Sequence, residues 1–294
     1  MQTPEDKKQS IIEKLDQIRD LPTLPVVMHK LSAAVRDPKA DARSIARLIE
    51  DDPAIMARIL KVVNSSLYGG DVKVQSIQHA VTRLGMRAVN NIALSTSVFS
   101  VFDDDGEGEF NREAFWRHSV SVGIAACVLY DRAEPHLKRG CTKESLRLAG
   151  LLHDIGKLVM YRYWRDEFQA SLRQARDRCM PLYEAEREQL GADHARIGAW
   201  LGGKWNLSPD LVAAVRWHHD PFSAPPEHWE LTALCHVANY VCNNQRIGDG
   251  GDLADPGWTQ AVWKELGLSV GDISLVVDEI NEESKKSEIL LTLS

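Results

Sequence analysis

The chain has 294 residues, of which 44% are hydrophobic and 26% are charged, and its formal net charge at pH 7 is −7. These values are typical of a globular protein with one large domain or two moderate ones. The negative balance argues against a general binder of nucleic-acid backbones, and no apolar run approaches the ~20 residues that cross a bilayer, so we expect neither nucleic acid nor a membrane as a partner.

The cysteines and the first residues predict a cellular compartment. The five cysteines, at positions 127, 141, 179, 235 and 242, are odd in number and show no CxxC spacing. Residues 1–10 are polar and lack the apolar core of a targeting segment. We therefore expect reduced, mostly buried thiols and a cytoplasmic location.

Apolar residues at helical spacing predict that residues 1–102 form a helical lobe with short connections. An amphipathic helix is expected over residues 11–20, and the prolines of Leu21-Pro22-Thr23-Leu24-Pro25 end it. The next predicted helices cover residues 26–35, begin after the capping residues Asp41, Asp52 and Ser76, and cover residues 86–102.

Residues 103–109 differ in composition from the rest of the chain, because they comprise five acids and two glycines. A calcium loop would need ligands at fixed odd positions, a central glycine and a closing glutamate, and this segment lacks that pattern. We therefore expect a solvated acidic linker between two helical lobes.

The pattern beyond the linker is again helical, and no alternating strand pattern occurs in the chain. Residues 110–247 are expected to form a second helical lobe, and residues 248–294 a flexible loop (248–252) with helices that pack on the core. The predicted helices cover residues 115–130, 145–160, 164–179, 183–200, 208–219, 231–242, 258–266 and 270–283. The sequence thus predicts an all-α, two-lobed helical bundle.

Five histidines of the second lobe lie on, or at the end of, predicted apolar helices. They are His118, His153, His194, His218 and His219, and Asp154 follows the second of them. A single histidine on an apolar helix face is usually a core residue that hydrogen bonds through both ring nitrogens. Five with an adjacent aspartate are better explained together, since helix bundles build metal sites from inward side chains on facing helices. We therefore predict a metal pocket in this lobe.

These residues resemble, in type and order, the HD superfamily of metal-dependent phosphohydrolases, and especially its HD-GYP type. The order in this chain is His118, His153-Asp154, His194, His218-His219. The resemblance implies two ions that share the aspartate. The first ion would be bound by His118, His153 and Asp154, and the second by Asp154, His194, His218 and His219.

Three further positions bear on this resemblance. Lys157 matches the lysine that faces substrate phosphate in the superfamily. Asn239 stands where the family has a further aspartate ligand, and an amide removes one negative charge from the first site. The Gly-Tyr-Pro signature does not follow His153-Asp154, so the resemblance to the HD-GYP type is incomplete.

The first lobe closely resembles the HDOD domain, a related branch. The resemblance rests on Leu21-Pro22-Thr23-Leu24-Pro25, Asp51-Asp52-Pro53, residues 60–69 (LKVVNSSLYG) and residues 76–85 (SIQHAVTRLG). It covers about residues 15–285 and implies an N-terminal HDOD helical lobe packed on an HD-type helical lobe. HDOD proteins are bacterial signalling proteins that are regarded as acting by binding partners, without demonstrated catalysis.

Two functions follow from these resemblances. The first is a non-catalytic signalling domain that binds a protein partner and carries one or two ions of a divalent transition metal (Fe, Mn, Zn or Ni). The alternative is a metal-dependent phosphohydrolase that acts on a nucleotide or cyclic dinucleotide through metal-activated water, with Asp154 and Lys157 as its candidate catalytic residues. An intermediate interpretation is a metal held structurally or as a ligand sensor.

Overall fold

The computed structural model describes residues 11, 15, 18, 20–66, 68, 73–102, 110–133, 140–252, 260–268 and 272–286, the last range with side chains only for 276–284. All regular secondary structure in these residues is helical, and this confirms the prediction of an all-α fold. The chain divides into two compact units, Pro22–Asp104 with Asn281–Ser294, and Met1–Leu21 with Asp105–Ile280.

The first unit is built from short amphipathic helices. They are α1 (Val26–Arg36), α2 (Ala42–Glu50), α3 (Pro53–Val63), α4 (Ile77–Leu84) and α5 (Met86–Val101). The predicted capping residues are all found in place: the side chains of Asp41, Asp52 and Ser76 each accept hydrogen bonds from backbone N–H groups of the following first turn. Buried aliphatic side chains such as Leu31, Ile45 and Ile59 form the core of this unit.

The second unit carries the longer helices. They are α6 (Arg112–Arg132), α7 (Lys143–Leu152), α8 (Ile155–Tyr163), α9 (Arg165–Arg178), α10 (Leu182–Leu190), α11 (His194–Lys204), α12 (Pro209–Trp217), α13 (Trp229–Asn244), α14 (Gln260–Glu265) and α15 (Asp272–Lys286), the last of which continues past residue 280. Two single 3₁₀ turns, Pro221–Ser223 and Pro226–His228, join α12 to α13.

Two helices that the sequence predicted as continuous are each broken in the structure. The predicted helix over 145–160 ends at Leu152 and restarts at Ile155, with Asp154 outside helical geometry at φ −101° and ψ 8°. The predicted helix over 183–200 is interrupted at Gly191, whose φ of 80° is left-handed. Apolar periodicity continues across both breaks, and for this reason the pattern did not reveal them.

Close backbone contacts at glycines bring the helices of the second unit together. A Cβ atom added to Gly150 of α7 would lie 2.3 Å from the Cα of Gly123 in α6. A Cβ atom added to Gly156 of α8 would lie 2.0 Å from the carbonyl oxygen of His194 in α11. The absence of a side chain at these glycines lets α7 approach α6, and α8 approach α11, at backbone distance.

Some predictions are not tested by this structure. The acidic segment 103–109 and most of the first helix predicted over 11–20 lie outside the described residues. The domain boundaries predicted at residues 102, 110 and 248 stay predictions. Among the described helices, none combines the length and the apolar character that a membrane crossing requires.

Candidate metal centre

The predicted pocket residues come from four places in the second unit. His118 lies on α6, His153 and Asp154 form the break between α7 and α8, His194 is the first residue of α11, and His218 and His219 follow the end of α12. The side chains of these residues are buried, apart from His219, which is partly exposed. The structure therefore brings together all six residues that the sequence proposed.

Asp154 lies between two groups of histidines. Its Oδ2 atom lies 3.2 Å from His153 Nε2, and its Oδ1 atom lies 3.1 Å from His194 Nε2 and 3.6 Å from His218 Nε2. Ligand-type atoms of His118, His153 and Asp154 all lie within 4.8 Å of one another, and so do those of His194, His218 and His219. We call His118, His153 and Asp154 the first group, and His194, His218 and His219 the second group. Asp154 Oδ2 faces His153 of the first group, and Asp154 Oδ1 faces the second group.

Four of the imidazole rings are held through Nδ1 by an oxygen acceptor. The contacts from Nδ1 are His118 to Ile247 O (3.2 Å), His153 to Gly150 O (2.7 Å), His194 to Glu186 Oε2 (2.6 Å) and His218 to Val215 O (2.9 Å). In the neutral tautomer with the proton on Nδ1, the ring presents a lone pair at Nε2; at His118, Nε2 also faces an oxygen, Asn239 Oδ1. Anchoring of one ring nitrogen in this way is typical of histidines that bind a metal through the other.

Several of the converging atoms lack a hydrogen-bond partner within the described part of the chain. They are His153 Nε2, His218 Nε2 and Asp154 Oδ1, all buried. Burying such atoms without a partner costs free energy, and a cation would satisfy them. Ligands about 2.0–2.1 Å from a tetrahedral metal lie about 3.3 Å apart. The spacings of 3.1 and 3.6 Å at Asp154 Oδ1, and of 2.9 Å between His194 Nε2 and His219 Nε2, bracket that value, so these residues fit a metal.

The protonation of the pocket favours metal binding at most of the rings. Burial lowers the pKa of His118 to about 4 and holds the pKa values of His218 and His219 well below their usual range. These rings are therefore neutral near pH 7, the form that binds a metal. Burial also acts to lower the pKa of His194, but the Glu186 and Asp154 carboxylates outweigh it and raise that pKa to about 10.

Lys157 lies inside the pocket with all three of its N–H groups engaged. The ammonium donates to Asp154 Oδ2 at 2.7 Å, to the Gly250 carbonyl at 2.8 Å and to Asp252 Oδ2 at 2.7 Å. Burial acts to lower its pKa, but the Asp154 and Asp252 carboxylates outweigh this effect and raise the pKa, so Lys157 stays charged. Its contact with a substrate phosphate stays a prediction, and in this arrangement such a contact would require one of these bonds to break.

The segment that was predicted as a flexible loop is packed against the first group. We call residues 247–252 the cover segment. The Gly248 backbone lies so close to α6 that a Cβ atom there would be 2.3 Å from His118 N. A Cβ atom on Gly250 would lie 3.2 Å from Asp154 Oδ2, and the Asp249 N–H donates to the Ala114 carbonyl at 3.0 Å. The cover segment therefore closes the side of the pocket at His118.

Two residues of α13 complete the surroundings of the histidines. Asn239 Oδ1 lies 3.0 Å from His118 Nε2 and also accepts a hydrogen bond from Asn243 Nδ2 at 3.0 Å. The Asn239 amide, which the resemblance places where the family has an aspartate, therefore contacts the first group. His236 donates from Nδ1 to the backbone carbonyl of His218 at 2.7 Å, so it helps to fix the backbone at this residue of the second group.

The sequence did not identify two carboxylates that contact the pocket. Glu186 lies four residues after Leu182 and four before Leu190, so its position on the buried face of α10 was readable from helical spacing. Asp252 reaches Lys157 from the cover segment, across 95 residues of sequence. The path of that segment depends on tertiary packing, and local patterns carry no signal for it.

Solved structures of several bacterial proteins are similar to this chain. An HDOD domain protein of unknown function from Geobacter sulfurreducens has a TM-score of 0.74 at 23% identity, over 99% of this chain and 98% of that chain. A protein from Marinobacter aquaeolei VT8, proposed to act in signal transduction, has a TM-score of 0.77 at 22% identity, over 99% and 65%. A protein from Shewanella amazonensis SB2B, proposed to be a metal-dependent phosphohydrolase, has a TM-score of 0.61 at 25% identity, over 96% and 99%.

The sequence comparisons agree with the fold. An uncharacterized protein of Treponema pallidum (strain Nichols) is 27% identical over 224 residues, which are 76% of this chain. The chain spans 42% of the length of that relative. The sequence profile of the HDOD domain matches residues 21–221, more than half of the chain. This chain therefore belongs to the HDOD domain family.

Proposed function

We propose that this chain is a regulatory signalling domain that acts by binding a protein partner and that holds a divalent transition metal in its His/Asp pocket without hydrolysing a substrate. The observation that carries the proposal is the state of Lys157. The pocket collects metal-type ligands, yet the cation that would meet a phosphate is bonded to Asp154, Gly250 and Asp252.

The donor set supports a transition metal. Neutral imidazole nitrogens with a single carboxylate oxygen suit Fe, Mn, Zn or Ni better than magnesium or calcium, which prefer sites composed of oxygen. In this proposal the Nε2 atoms and Asp154 hold the ion, and the Nδ1 contacts, including that from His194 to Glu186, fix the rings. The ion supplies positive charge that satisfies buried lone pairs which otherwise face one another.

Elemental analysis tests the metal. The protein is purified without a chelator and without a nickel column, and its iron, manganese, zinc and nickel are measured per chain. We expect close to one equivalent or more in total. Less than about a tenth of an equivalent of any transition metal, in the isolated protein and after incubation with each ion, would contradict the metal pocket.

A capture experiment tests the partner. The wild-type chain is compared with a variant in which exposed α4 residues are changed together, Gln78→Glu, His79→Glu and Thr82→Glu, and with Asp154→Asn. If the first unit binds the partner, the α4 variant loses the captured protein and Asp154→Asn retains it. Capture that is lost in Asp154→Asn and retained in the α4 variant would instead place the interaction at the pocket.

The alternative function, hydrolysis of a nucleotide or cyclic dinucleotide, is favoured by one observation. Asp154 faces both groups with one oxygen each, a position from which it could bridge two ions, and a structural neighbour at 25% identity is proposed to be a metal-dependent phosphohydrolase. A phosphodiester panel assayed with added manganese or iron tests it. Turnover that disappears in Asp154→Ala would replace the signalling proposal with an enzymatic one, and absence of turnover under metal-loaded conditions would support the proposal made here.

The five cysteines agree with action in the cytoplasm. All five are free thiols, and Cys127, Cys235 and Cys242 are buried. Free thiols persist in a reducing compartment, and this supports the cytoplasmic location that we propose for the chain.

A further inference from the structure

We infer that the pocket binds a single divalent ion, held by Asp154 Oδ1 and the second group. The Lys157 ammonium supplies the positive charge at the first group, where a second ion would otherwise bind. This inference rests on the proposed metal pocket and specifies its stoichiometry and its location. It also assigns to Lys157 and Asp252 a purpose within the fold.

The charges of the contacting side chains agree with one ion. Three carboxylates, those of Asp154, Glu186 and Asp252, contact the pocket, and Lys157 carries the one positive charge among these four. All four side chains are at most 1% exposed. With the three carboxylates and the lysine ionised, and with the His194 proton released when a metal binds, these four side chains sum to a charge of −2. One divalent ion neutralises that charge, whereas two ions would leave an excess of +2 in the interior, where uncompensated charge is costly.

The first group is already engaged within the protein. Asp154 Oδ2 accepts from Lys157 at 2.7 Å, and His118 Nε2 lies 3.0 Å from Asn239 Oδ1. Among the ring nitrogens of this group, His153 Nε2 has no hydrogen-bond partner in the described chain. A divalent ion placed here would lie beside the ammonium, and the repulsion between like charges in a buried site would oppose its binding.

The cover segment closes the same side of the pocket. Gly250 contributes its carbonyl to Lys157, and the Asp252 carboxylate joins Lys157 to the Leu182 N–H at 3.3 Å. A Cβ atom on Gly250 would approach His118 Cδ2 to 3.0 Å, so the backbone lies directly on the first group. An ion in the first group would therefore lie against both the lysine and this backbone.

At the second group, by contrast, buried ligand atoms are left without hydrogen-bond partners among the described residues. Asp154 Oδ1 and His218 Nε2 lack hydrogen-bond partners within the described chain and lie 3.6 Å apart. His194 is backed by the Glu186 carboxylate at 2.6 Å, the arrangement of a carboxylate–histidine–metal triad. His219 is partly exposed, whereas the other pocket histidines and Asp154 are buried.

A matched pair of substitutions locates the ion. Metal-free protein is titrated with Co²⁺, followed by its visible absorption bands, and with Zn²⁺ by calorimetry, for the wild-type chain, His118→Gln and His218→Gln. We expect one equivalent for the wild type and for His118→Gln. For His218→Gln we expect binding more than about 100-fold weaker, because loss of a ligand costs more than the 10–100-fold that loss of a ligand's hydrogen-bond partner costs.

Substitution of Lys157 tests its role as a cation. In Lys157→Met the summed charge of positions 154, 157, 186 and 252 becomes −3, and the Asp252 carboxylate and Asp154 Oδ2 lose the ammonium that they contact. We therefore expect this variant to bind a second equivalent of Zn²⁺. In Lys157→Met/Asp252→Asn the charge returns to −2, and we expect one equivalent again. Far-ultraviolet circular dichroism with and without Zn²⁺ shows whether each variant is folded, and the His118 and His218 pair tests the inference independently of these variants.

The outcomes separate this inference from the proposed function. Two equivalents in the wild type, or equal losses in His118→Gln and His218→Gln, would overturn the single-ion assignment and leave the metal pocket standing. No second ion in a folded Lys157→Met would overturn the role of Lys157. No binding by the wild type at all would contradict the metal pocket, and the inference with it.

Discussion

Asp154 and His194 show how single residues of the pocket depend on partners behind them. Asp154 is fully buried, and burial acts to raise its pKa, but His153, Lys157 and His194 outweigh this effect and hold the pKa well below its usual range. His194 receives its orientation from Glu186, which contacts both its Nδ1 and its backbone N–H. Glu186 is therefore a positioning residue and acts through His194.

We expect Glu186→Gln to weaken Zn²⁺ binding by about 10–100-fold while the chain stays folded, because the amide keeps a hydrogen-bond acceptor and removes the charge that raises ligand basicity. Competition with a chromophoric chelator measures the affinity. Glu184→Gln, an exposed position on the same helix, is the control and should bind as the wild type does. Equal affinities for Glu186→Gln and the wild type would exclude the positioning role.

At the scale of elements, the crossing of α8 and α11 brings Asp154 and His194 together. A Cβ atom on Gly198 of α11 would lie 2.9 Å from Val215 Cγ1 and 3.1 Å from the Gly156 backbone nitrogen. Gly203 lies five residues further along the same helix, and a Cβ atom there meets nothing within 4 Å. The two glycines share a helix and differ in the space around them.

We therefore expect opposite effects from alanine at these two positions. Gly198→Ala should lower the free energy of unfolding by about 1–3 kcal/mol, the usual cost of overpacking. Gly203→Ala should raise it by up to about 1 kcal/mol, because alanine is the better helix former. Urea unfolding measures both changes, and destabilisation of similar size in the two variants would mean that space at the crossing is not the cause.

The start of α11 gives a prediction of pH dependence. Asp193 caps this helix by accepting from the Arg196 N–H at 2.8 Å and pairs with Arg187 at 2.6 Å. Burial acts to raise the pKa of Asp193, but Arg187 outweighs it and lowers the pKa below 3.8. A lowered folded-state pKa contributes stability above the unfolded-state value, and that contribution is lost as the pH falls through the folded-state value.

Asp193→Asn isolates this contribution, because asparagine caps helices as well as aspartate does. We expect the variant to be less stable than the wild type by about 0.5–1 kcal/mol near neutral pH, and the difference to vanish in acid as Asp193 is protonated. Urea unfolding at a series of pH values measures it. A difference that stays constant down to strongly acidic pH would show that the Arg187 pair is not its source.

At the scale of the whole molecule, the pocket couples metal binding to the stability of the second unit. With the ion bound by Asp154 and the second group, its ligands come from the α7–α8 break, α11 and the end of α12, so it joins three places that are far apart in sequence. An ion that binds the folded chain alone stabilises it by mass action, by about 2.7 kcal/mol at a concentration 100-fold above the dissociation constant.

We expect removal of metal by a chelator to lower the midpoint of thermal unfolding by about 5–10 °C, since each kcal/mol shifts the midpoint by about 2–4 °C in a unit of this size. His218→Gln, which lacks a ligand of the second group, should show no shift with the chelator. Differential scanning calorimetry with and without the chelator measures both. A shift of equal size in His218→Gln would locate the stabilising ion elsewhere.

Local interactions explain why much of the fold was predictable. Asp41, Asp52 and Ser76 cap helices through bonds to backbone groups two or three residues away, so their role is contained in a few consecutive letters. The breaks at Asp154 and Gly191 were missed because apolar periodicity runs through them. The second unit needs both breaks, since each one redirects a helix at a pocket residue.

The sequence by itself determined that this chain is all-α, that it resembles the HDOD domain, and which histidines and aspartate are candidates for a metal. Those conclusions depend on helical spacing, capping and residue order, which are local or additive properties. Only the tertiary structure decided that Asp154 faces two groups, that Glu186 backs His194, and that Asp252 of the cover segment holds Lys157. The physical reason is that burial and charge pairing depend on which distant segments meet, and these contacts set the difference between the two halves of the pocket.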